Sequence, residues 1–180
     1  MPAPSSHVFW ICGLSGAGKS TLAAALVAAL RAAGRPVLEL DGDALRHGLC
    51  SGLGFSDADR AENLRRAAEV ARLGLDSGLC VVASFITPRE SHRQLARQLI
   101  GAGKFSLVWA DAPLEVCRQR DVKGLYARAQ AGQVPQMTGI GSSFEAPAGA
   151  DLVLPTAANT PEESARTLVQ FALTRLSVRG

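Results

Sequence analysis

Short apolar runs alternate with stretches of helical period along most of the chain. Apolar runs of strand length occupy residues 8–11, 37–40, 79–86, 105–110 and 152–154. Strands separated by helices are typical of βαβ units, whose parallel sheet is covered by helices on both faces. The pattern therefore predicts an α/β fold with a five-stranded parallel sheet.

The intervening stretches carry signals for where helices begin and end. We predict helices at residues 21–33, from about 57 to 75, from 88 to about 100, from 113 to about 120, and from 161 towards the C-terminus. Gly34 stands where a C-cap glycine is expected, and Ser56 is a plausible N-cap. Pro88, Pro113 and Pro161 are each predicted in the first turn of a helix, where proline is tolerated.

One segment departs from this alternation. Residues 122–147 are rich in glycine, glutamine and serine, and their apolar periodicity is weak. We interpret the segment as a mobile lid within one domain that spans residues 1–180. No internal repeat and no second domain is indicated.

Composition limits the classes of partner. With 180 residues, 47% of them hydrophobic, the chain is long enough for one good core. A net charge of +3 with scattered basic residues does not favour nucleic acid or a membrane surface as partner, and it suits a small anionic substrate. With no spanning segment and no secretory signal recognised, we expect a cytoplasmic protein whose four cysteines are reduced and buried.

A glycine-rich motif follows the first apolar run directly. Its nine residues are Gly13, Leu14, Ser15, Gly16, Ala17, Gly18, Lys19, Ser20 and Thr21. The spacing GxxxxGK[ST] lets backbone N–H groups surround phosphates, while the lysine reaches the β and γ oxygens and the serine hydroxyl ligates Mg²⁺. A strand before the motif and a helix after it make ATP or GTP binding the first hypothesis.

The motif alone does not separate kinases from GTPases or transport ATPases. The chain has no NKxD-type guanine-reading tetrapeptide and no LSGGQ-type signature, which disfavours the last two classes. Asp41-Gly42-Asp43 follows the second predicted strand, at the sheet edge where open α/β folds bind ligands. Asp43 is our candidate for accepting a substrate hydroxyl proton or for holding Mg²⁺. The alternative is a turn in which one aspartate caps the next helix.

Further segments resemble one family closely, the adenylylsulfate kinases, which phosphorylate the 3′-hydroxyl of adenosine 5′-phosphosulfate (APS) with MgATP. The resemblance is carried by LDGDALRHGL (40–49), LGFSDADRAENLRR (53–66), SFITPRE (84–90), DAPLEVCRQRDVKGLYARA (111–129), TGI (138–140) and FEAP (144–147). It implies a three-layer P-loop kinase fold with a lid, ATP and APS as substrates, and Mg²⁺ as cofactor. Lys19 and Asp43 would then be catalytic, with Ser20 and Asp43 near the metal.

The resemblance also assigns acceptor-binding residues. Arg46, Arg60 and Asn63 match family positions that hold the phosphosulfate and ribose region, and guanidinium groups suit such oxyanions. Their alternative role is surface charge on a helix. Phe55 matches an aromatic residue that stacks on the acceptor adenine, with a core position as its alternative.

Residues 123–125 lie in the family's ATP and lid region. Arg120 and Arg128 could stabilise charge on the transferring phosphoryl group, and solvated positions are their alternative.

Departures from the family pattern cluster in the lid. Met137 stands in place of a second aromatic residue and is predicted to cover the acceptor base through its thioether. Pro135 replaces a lysine, and Gly141 replaces an aspartate. Thr87 occupies the place of a serine that is phosphorylatable in some members, so it is a candidate phospho-acceptor, although direct transfer needs none.

Two rival functions stay open at this stage. A diverged kinase acting on another hydroxyl acceptor would explain the lid changes, and a nucleotide-binding module without turnover would share the fold. The resemblance also raises a homodimer and a sulfurylase partner as possibilities.

Overall fold

The computed structural model describes residues 5–133 and 137–177, and in them the five predicted strands form one parallel sheet. The strands are β1 (Val8–Cys12), β2 (Val37–Asp41), β3 (Cys80–Ser84), β4 (Phe105–Asp111) and β5 (Leu152–Pro155). Their order is β2-β3-β1-β4-β5, with every neighbouring pair parallel. The sheet confirms the predicted α/β class and brings all carboxyl ends of the strands to one edge.

The described helices are α1 (Lys19–Ala32), α2 (Gly42–His47), α3 (Asp57–Asp76), α4 (Glu90–Ile100), α5 (Leu114–Arg120), α6 (Leu125–Gln130) and α7 (Pro161–Ser177), with a 3₁₀ turn at Ala102–Lys104. The short helices α2 and α6 were not predicted. Ser56 caps α3 as expected, because its Oγ accepts from the Asp59 N–H at 3.1 Å. Gly34, with φ of 72°, follows the end of α1 as predicted.

The prolines do not all occupy the predicted helical positions. Pro161 is the first residue of α7, as predicted, but Pro113 is the N-cap of α5. Pro88 lies outside α4, whose N-cap is Arg89, so its predicted place in the first turn is wrong. The physical reason is that the Pro88 carbonyl accepts from the Glu145 N–H at 2.8 Å, which holds the segment before α4 in a loop.

Two hydrophobic layers cover the sheet. On one face Phe9 and Ile11 of β1 belong to a buried cluster with residues of α1 and α7. On the other face Trp10 belongs to a cluster with residues of α3 and α4. The four cysteines, Cys12, Cys50, Cys80 and Cys117, are buried free thiols, as predicted. In the described part of the chain, no helix is both long enough and apolar enough to cross a membrane.

The segment predicted as a lid contains ordered elements. Helix α6 buries Tyr126 and Ala129, and a bridge pairs Thr138 with Ser142. The Asp121 carboxylate accepts from the N–H groups of Tyr126 and Ala127 at 3.0 and 3.1 Å, which holds the start of α6. Pro135 lies outside the described residues.

Candidate active site

A cavity of about 510 Å³ lies at the carboxyl edge of the sheet. Six of the nine P-loop residues line it: Ser15, Gly16, Gly18, Lys19, Ser20 and Thr21. The other three support the loop from behind: Ala17 is buried in the core, Leu14 packs against the core, and Gly13 lies against β4. A Cβ on Gly13 would approach the Ala110 carbonyl oxygen to 2.5 Å, so only glycine fits there.

The amino end of α1 is suited to phosphate. Its N-cap is Gly18, with φ of 91°, and no described side chain caps its first N–H groups. Uncapped N–H groups and the positive end of the helix dipole attract anions. The P-loop residues therefore form a phosphate site at the position that the motif predicts.

Lys19 is the cation of this site. Its Nζ donates to the Leu14 carbonyl at 2.7 Å. Burial lowers the pKa of Lys19 to about 8, and the nearby charge of Lys123 contributes in the same direction. An anion in the cradle would reverse this effect, because opposite charge favours the protonated lysine.

The two aspartates of the Asp-Gly-Asp segment have different surroundings. Asp41 is the N-cap of α2: its Oδ1 accepts from the N–H groups of Asp43 and Ala44, and its Oδ2 accepts from Ser84 Oγ at 3.0 Å. Asp43 lies in the first turn of α2, lines the cavity and forms an exposed ion pair with Lys123. The capping role considered for this segment thus belongs to Asp41, which leaves the Asp43 carboxylate facing the cavity.

The predicted acceptor residues meet around one exposed aromatic ring. The Arg46 and Arg60 guanidinium carbons lie 4.4 and 5.7 Å from the centroid of the Phe55 ring, which is 52% exposed. Arg60 is buried, and burial together with the neighbouring Arg46 lowers its pKa. Two cations beside one exposed aromatic ring form a site for a planar anionic ligand.

Asn63 adds a polar group to the same wall of the cavity. Its side chain is 4% exposed, and Nδ2 has no hydrogen-bond partner among the described residues. Since buried amide groups in proteins are nearly always paired, this donor is suited to a ligand that enters the cavity. The structure brings Asn63, Arg46, Phe55 and Arg60 together on one wall, as the sequence predicted.

Met137 does not join this wall. It is buried in the hydrophobic cluster that contains residues of α1 and α7, and it is not among the residues that line the cavity. The prediction that its thioether covers the acceptor base is therefore not supported by its position. Its neighbour Thr138 contacts the site instead, because Thr138 Oγ1 accepts from Arg60 Nη1 at 3.1 Å.

Thr87 lines the cavity, but its side chain is almost fully buried. The residue is 1% exposed, and its Oγ1 accepts from Trp10 Nε1 at 2.9 Å. Phosphoryl transfer to this hydroxyl would require the contact to open, so the geometry does not favour the predicted role as a phospho-acceptor. Its φ of 45° is unusual for a β-branched residue and belongs to the loop before α4.

The described residues offer few metal ligands. No group of three or more His, Cys, Asp or Glu side chains among them could hold a metal ion. Mg²⁺ commonly binds through one or two protein oxygens, substrate phosphates and water. Ser20 and Asp43, which both line the cavity, fit that donor set.

The cavity also has a wall that the motifs did not predict. It is formed by Thr156, Asn159, Pro161 and Ser164, at the end of β5 and the start of α7. Arg120 reaches it through a hydrogen bond to the Thr156 carbonyl at 2.7 Å, whereas Arg128 is exposed and does not line the cavity. The sequence predicted the strand at residues 152–154 and the helix that begins at Pro161, but it carried no signal that they line the cavity.

Comparisons with known proteins agree with this arrangement. The family model described as adenylylsulphate kinase matches residues 5–155. An adenylyl-sulfate kinase from Aeromonas hydrophila is 51% identical over 172 residues, which cover 96% of this chain and 85% of that protein. One from Paraburkholderia xenovorans is 48% identical over the full length of both chains.

Among solved structures, the Mycobacterium tuberculosis APS kinase in complex with AMPPNP and APS matches with a TM-score of 0.90. The match has 44% sequence identity and covers 94% of this chain and 99% of that one.

Proposed function

The chain belongs to the adenylylsulphate kinase family, and we propose that its cavity holds MgATP and APS while Asp43 orients the acceptor hydroxyl. Its function is that of an adenylyl-sulfate kinase: the γ-phosphoryl group of ATP passes to the 3′-hydroxyl of APS. The proposal concerns which residues carry that reaction. The observation that carries it is a single cavity lined by a phosphate cradle, an exposed carboxylate and a cationic aromatic wall.

ATP binds at the P-loop in this proposal. The uncapped N–H groups at the start of α1 hold the β and γ phosphates, and Lys19 neutralises their charge. The pKa of Lys19, lowered by burial, supports this role, because an anion beside a buried ammonium group offsets the cost of its charge.

APS binds at the opposite wall. Phe55 stacks on the planar base, and Arg46 and Arg60 bind the anionic phosphosulfate region, where guanidinium groups give charge-assisted hydrogen bonds. The unpaired Asn63 amide donates to an oxygen of the same ligand. This assignment leaves Met137 in the core and Thr87 outside the transfer.

Asp43 acts between the two substrates. Its carboxylate accepts a hydrogen bond from the acceptor hydroxyl and directs that oxygen at the γ-phosphorus; the new O–P bond forms as the bond to the β–γ bridging oxygen breaks. The hydroxyl proton passes to the Asp43 carboxylate. Lys123, the ion-pair partner of Asp43, then lies close to the charge that develops on the transferring group.

Mg²⁺ bound by Ser20 and Asp43 would neutralise charge on the β and γ phosphates. Closure of the segment 122–147 as a lid would exclude water, in keeping with the sequence prediction. A homodimer, a sulfurylase partner and a cytoplasmic location stay predictions.

The test is formation of 3′-phosphoadenosine 5′-phosphosulfate from MgATP and APS by the purified protein. Asp43→Asn should lower kcat at least about 100-fold, as expected for loss of a positioned acid–base group. Because Asp43 is also a proposed Mg²⁺ ligand, affinity is compared for ATP without Mg²⁺, and it should stay within about threefold of wild type. Asp76→Asn, which changes an exposed aspartate of α3 paired with Arg72, is the matched control.

Three results would contradict the proposal. Absence of product from APS with turnover of another alcohol would indicate a diverged kinase. ATP binding with no turnover of any acceptor would indicate a nucleotide-binding module. Full activity of Asp43→Asn would show that the Asp43 carboxylate is not needed for phosphoryl transfer.

A further inference from the structure

Four consecutive carbonyl oxygens of the P-loop each accept a hydrogen bond from a side chain. Lys19 Nζ donates to Leu14 at 2.7 Å, Tyr126 Oη to Ser15 at 2.9 Å, Arg120 Nη1 to Gly16 at 3.2 Å, and Thr156 Oγ1 to Ala17 at 2.8 Å. We call these four donors the carbonyl brace. Only Lys19 belongs to the P-loop motif; the other three lie more than one hundred residues away in sequence.

The carbonyl brace affects ATP binding through the geometry of the peptide bond. In a trans peptide the C=O and the following N–H point in opposite directions. A carbonyl held away from the cavity therefore directs the next N–H towards it, and it also keeps a partial negative charge away from the phosphates. Of the four donors, Tyr126 alone is not among the residues that line the cavity, so its hydrogen bond turns the Ser15 carbonyl away from the cavity and the Gly16 N–H towards it.

The peptide between Ser15 and Gly16 most needs such a donor. Gly16 has φ of 80°, a conformation that glycine adopts without steric cost, so the residue itself offers little resistance to a flip of this peptide. A side chain at this position is excluded, since a Cβ would lie 2.9 Å from the Cys117 carbonyl oxygen. The orientation of this peptide has to be fixed from outside the loop.

Tyr126 is placed to do this. Its ring is 2% exposed in α6, whose start is held by the Asp121 carboxylate, and its hydroxyl ends on the Ser15 carbonyl. Burial raises the pKa of Tyr126 to about 12, so the phenol stays a hydrogen-bond donor at physiological pH.

We propose that Tyr126 is a positioning residue for ATP: its hydroxyl holds the Ser15–Gly16 peptide so that the Gly16 N–H faces the donor phosphates. Thr156 fixes the Ala17–Gly18 peptide through the Ala17 carbonyl, and its hydroxyl is also within 3.3 Å of the Asp111 carbonyl. The inference rests on the proposed function only in taking ATP as the donor. It adds a residue of the predicted lid to the support of the phosphate cradle.

The test compares two hydroxyl deletions in the brace with one outside it. Tyr126→Phe and Thr156→Val each remove one donor and keep the side-chain shape. Thr167→Val removes a hydroxyl that bonds to the Glu163 carbonyl on the exposed face of α7. Calorimetry measures affinity for Mg²⁺ and AMPPNP, and steady-state kinetics measure KM for MgATP and for APS separately.

We expect both brace variants to weaken nucleotide affinity and raise KM for MgATP by about 3- to 10-fold, the loss typical of one buried hydrogen bond. KM for APS should stay within twofold, and Thr167→Val should match wild type. In nucleotide-free Tyr126→Phe, the amide resonance of Gly16 should also shift, because its peptide is no longer fixed.

Nucleotide affinity within twofold of wild type in Tyr126→Phe, in a variant whose thermal unfolding shows an intact fold, would overturn the inference. An equal rise of both KM values would overturn it as well, since it would indicate a general structural role. Binding of AMPPNP does not need the acceptor. Failure of the wild-type protein to phosphorylate APS would therefore contradict the proposed function, whereas the role of Tyr126 would still be tested by AMPPNP affinity.

Discussion

Replacing Lys19 by methionine should make the nucleotide-free protein more stable at neutral pH. Lowering the pKa of a lysine from 10.5 to about 8 corresponds to roughly 3 kcal/mol of cost for holding its charge, at about 1.4 kcal/mol per pKa unit. Lys19 keeps part of its surface in water, so screening reduces the cost to about 1–2 kcal/mol. Methionine keeps the length of the side chain and removes the charge.

The pH dependence separates this charge effect from other consequences of the substitution. Because the pKa of Lys19 is lower in the folded protein than in the unfolded chain, the unfolded chain binds more protons between about pH 8 and 10.5. Stability contributed by this group therefore rises with pH through that window, and the cost is fully present below it. Loss of the hydrogen bond to Leu14, about 1 kcal/mol, opposes the gain but does not follow this profile.

Urea denaturation of wild type and Lys19→Met at pH 7 and pH 10 measures the effect. The free energy of unfolding of wild type should rise by about 1–2 kcal/mol relative to the variant between these two pH values. Lys104→Met, which removes an ammonium group bonded to the Ser6 carbonyl away from the P-loop, is the matched control. MgATP at 100 times its Kd should add about 2.7 kcal/mol to wild type and little to Lys19→Met.

A difference between wild type and Lys19→Met that is the same at both pH values would refute the reasoning. It would mean that the positive charge of Lys19 does not lower the free energy of unfolding of the nucleotide-free protein. A gain by wild type that Lys104→Met also removes would place the effect outside the P-loop.

Four further substitutions test other contacts of the site. Glu145→Gln weakens the acceptor for the first N–H of α4, which Glu145 Oε2 binds at 2.7 Å, and should lower the free energy of unfolding by about 1 kcal/mol in urea. Gly13→Ala should lower the free energy of unfolding by more than about 3 kcal/mol, because its Cβ would meet the Ala110 oxygen. Gly18→Ala has free space for its Cβ and should cost about 1–2 kcal/mol. Similar decreases in Tm for the two variants would contradict this prediction. Asn63→Leu should stabilise the ligand-free protein by about 1 kcal/mol, because it removes an unpaired buried donor. It should also raise KM for APS at least about tenfold and leave KM for MgATP unchanged. An unchanged KM for APS would exclude Asn63 from the acceptor site.

The parts of the site that could be predicted from sequence depend on neighbours along the chain. The P-loop lies between β1 and α1, and Ser56 begins α3, because strand, loop and cap are each encoded by a few adjacent residues. Arg60 and Asn63 share a face of α3 through their spacing of three residues. Such local sequence signals predict the structure correctly when tertiary packing favours the same conformation.

The parts that could not be predicted depend on contacts distant in sequence. Whether Met137 faces the cavity or the core is decided by the packing of the segment that follows α6, and its apolar side chain suits either place. Pro88 could begin a helix, but its carbonyl is bound by the Glu145 N–H. Tyr126 lies in a segment of weak periodicity, and its role depends on a contact with Ser15, 111 residues away.

The two walls of the cavity differ in how far they are complete without ligand. On the ATP side the P-loop carbonyls already have donors, so the phosphate-binding groups are oriented before ATP arrives and little ordering is left for binding. On the acceptor side Asn63 Nδ2 is unpaired, and the guanidinium groups of Arg46 and Arg60 lie against the same ring. Buried unpaired donors and adjacent like charges cost stability in the empty protein, and an anionic ligand relieves both. The wall that holds the unpaired Asn63 amide and the two neighbouring cations is thus the wall that selects the acceptor, because a ligand lacking the matching oxygens would leave those costs in place.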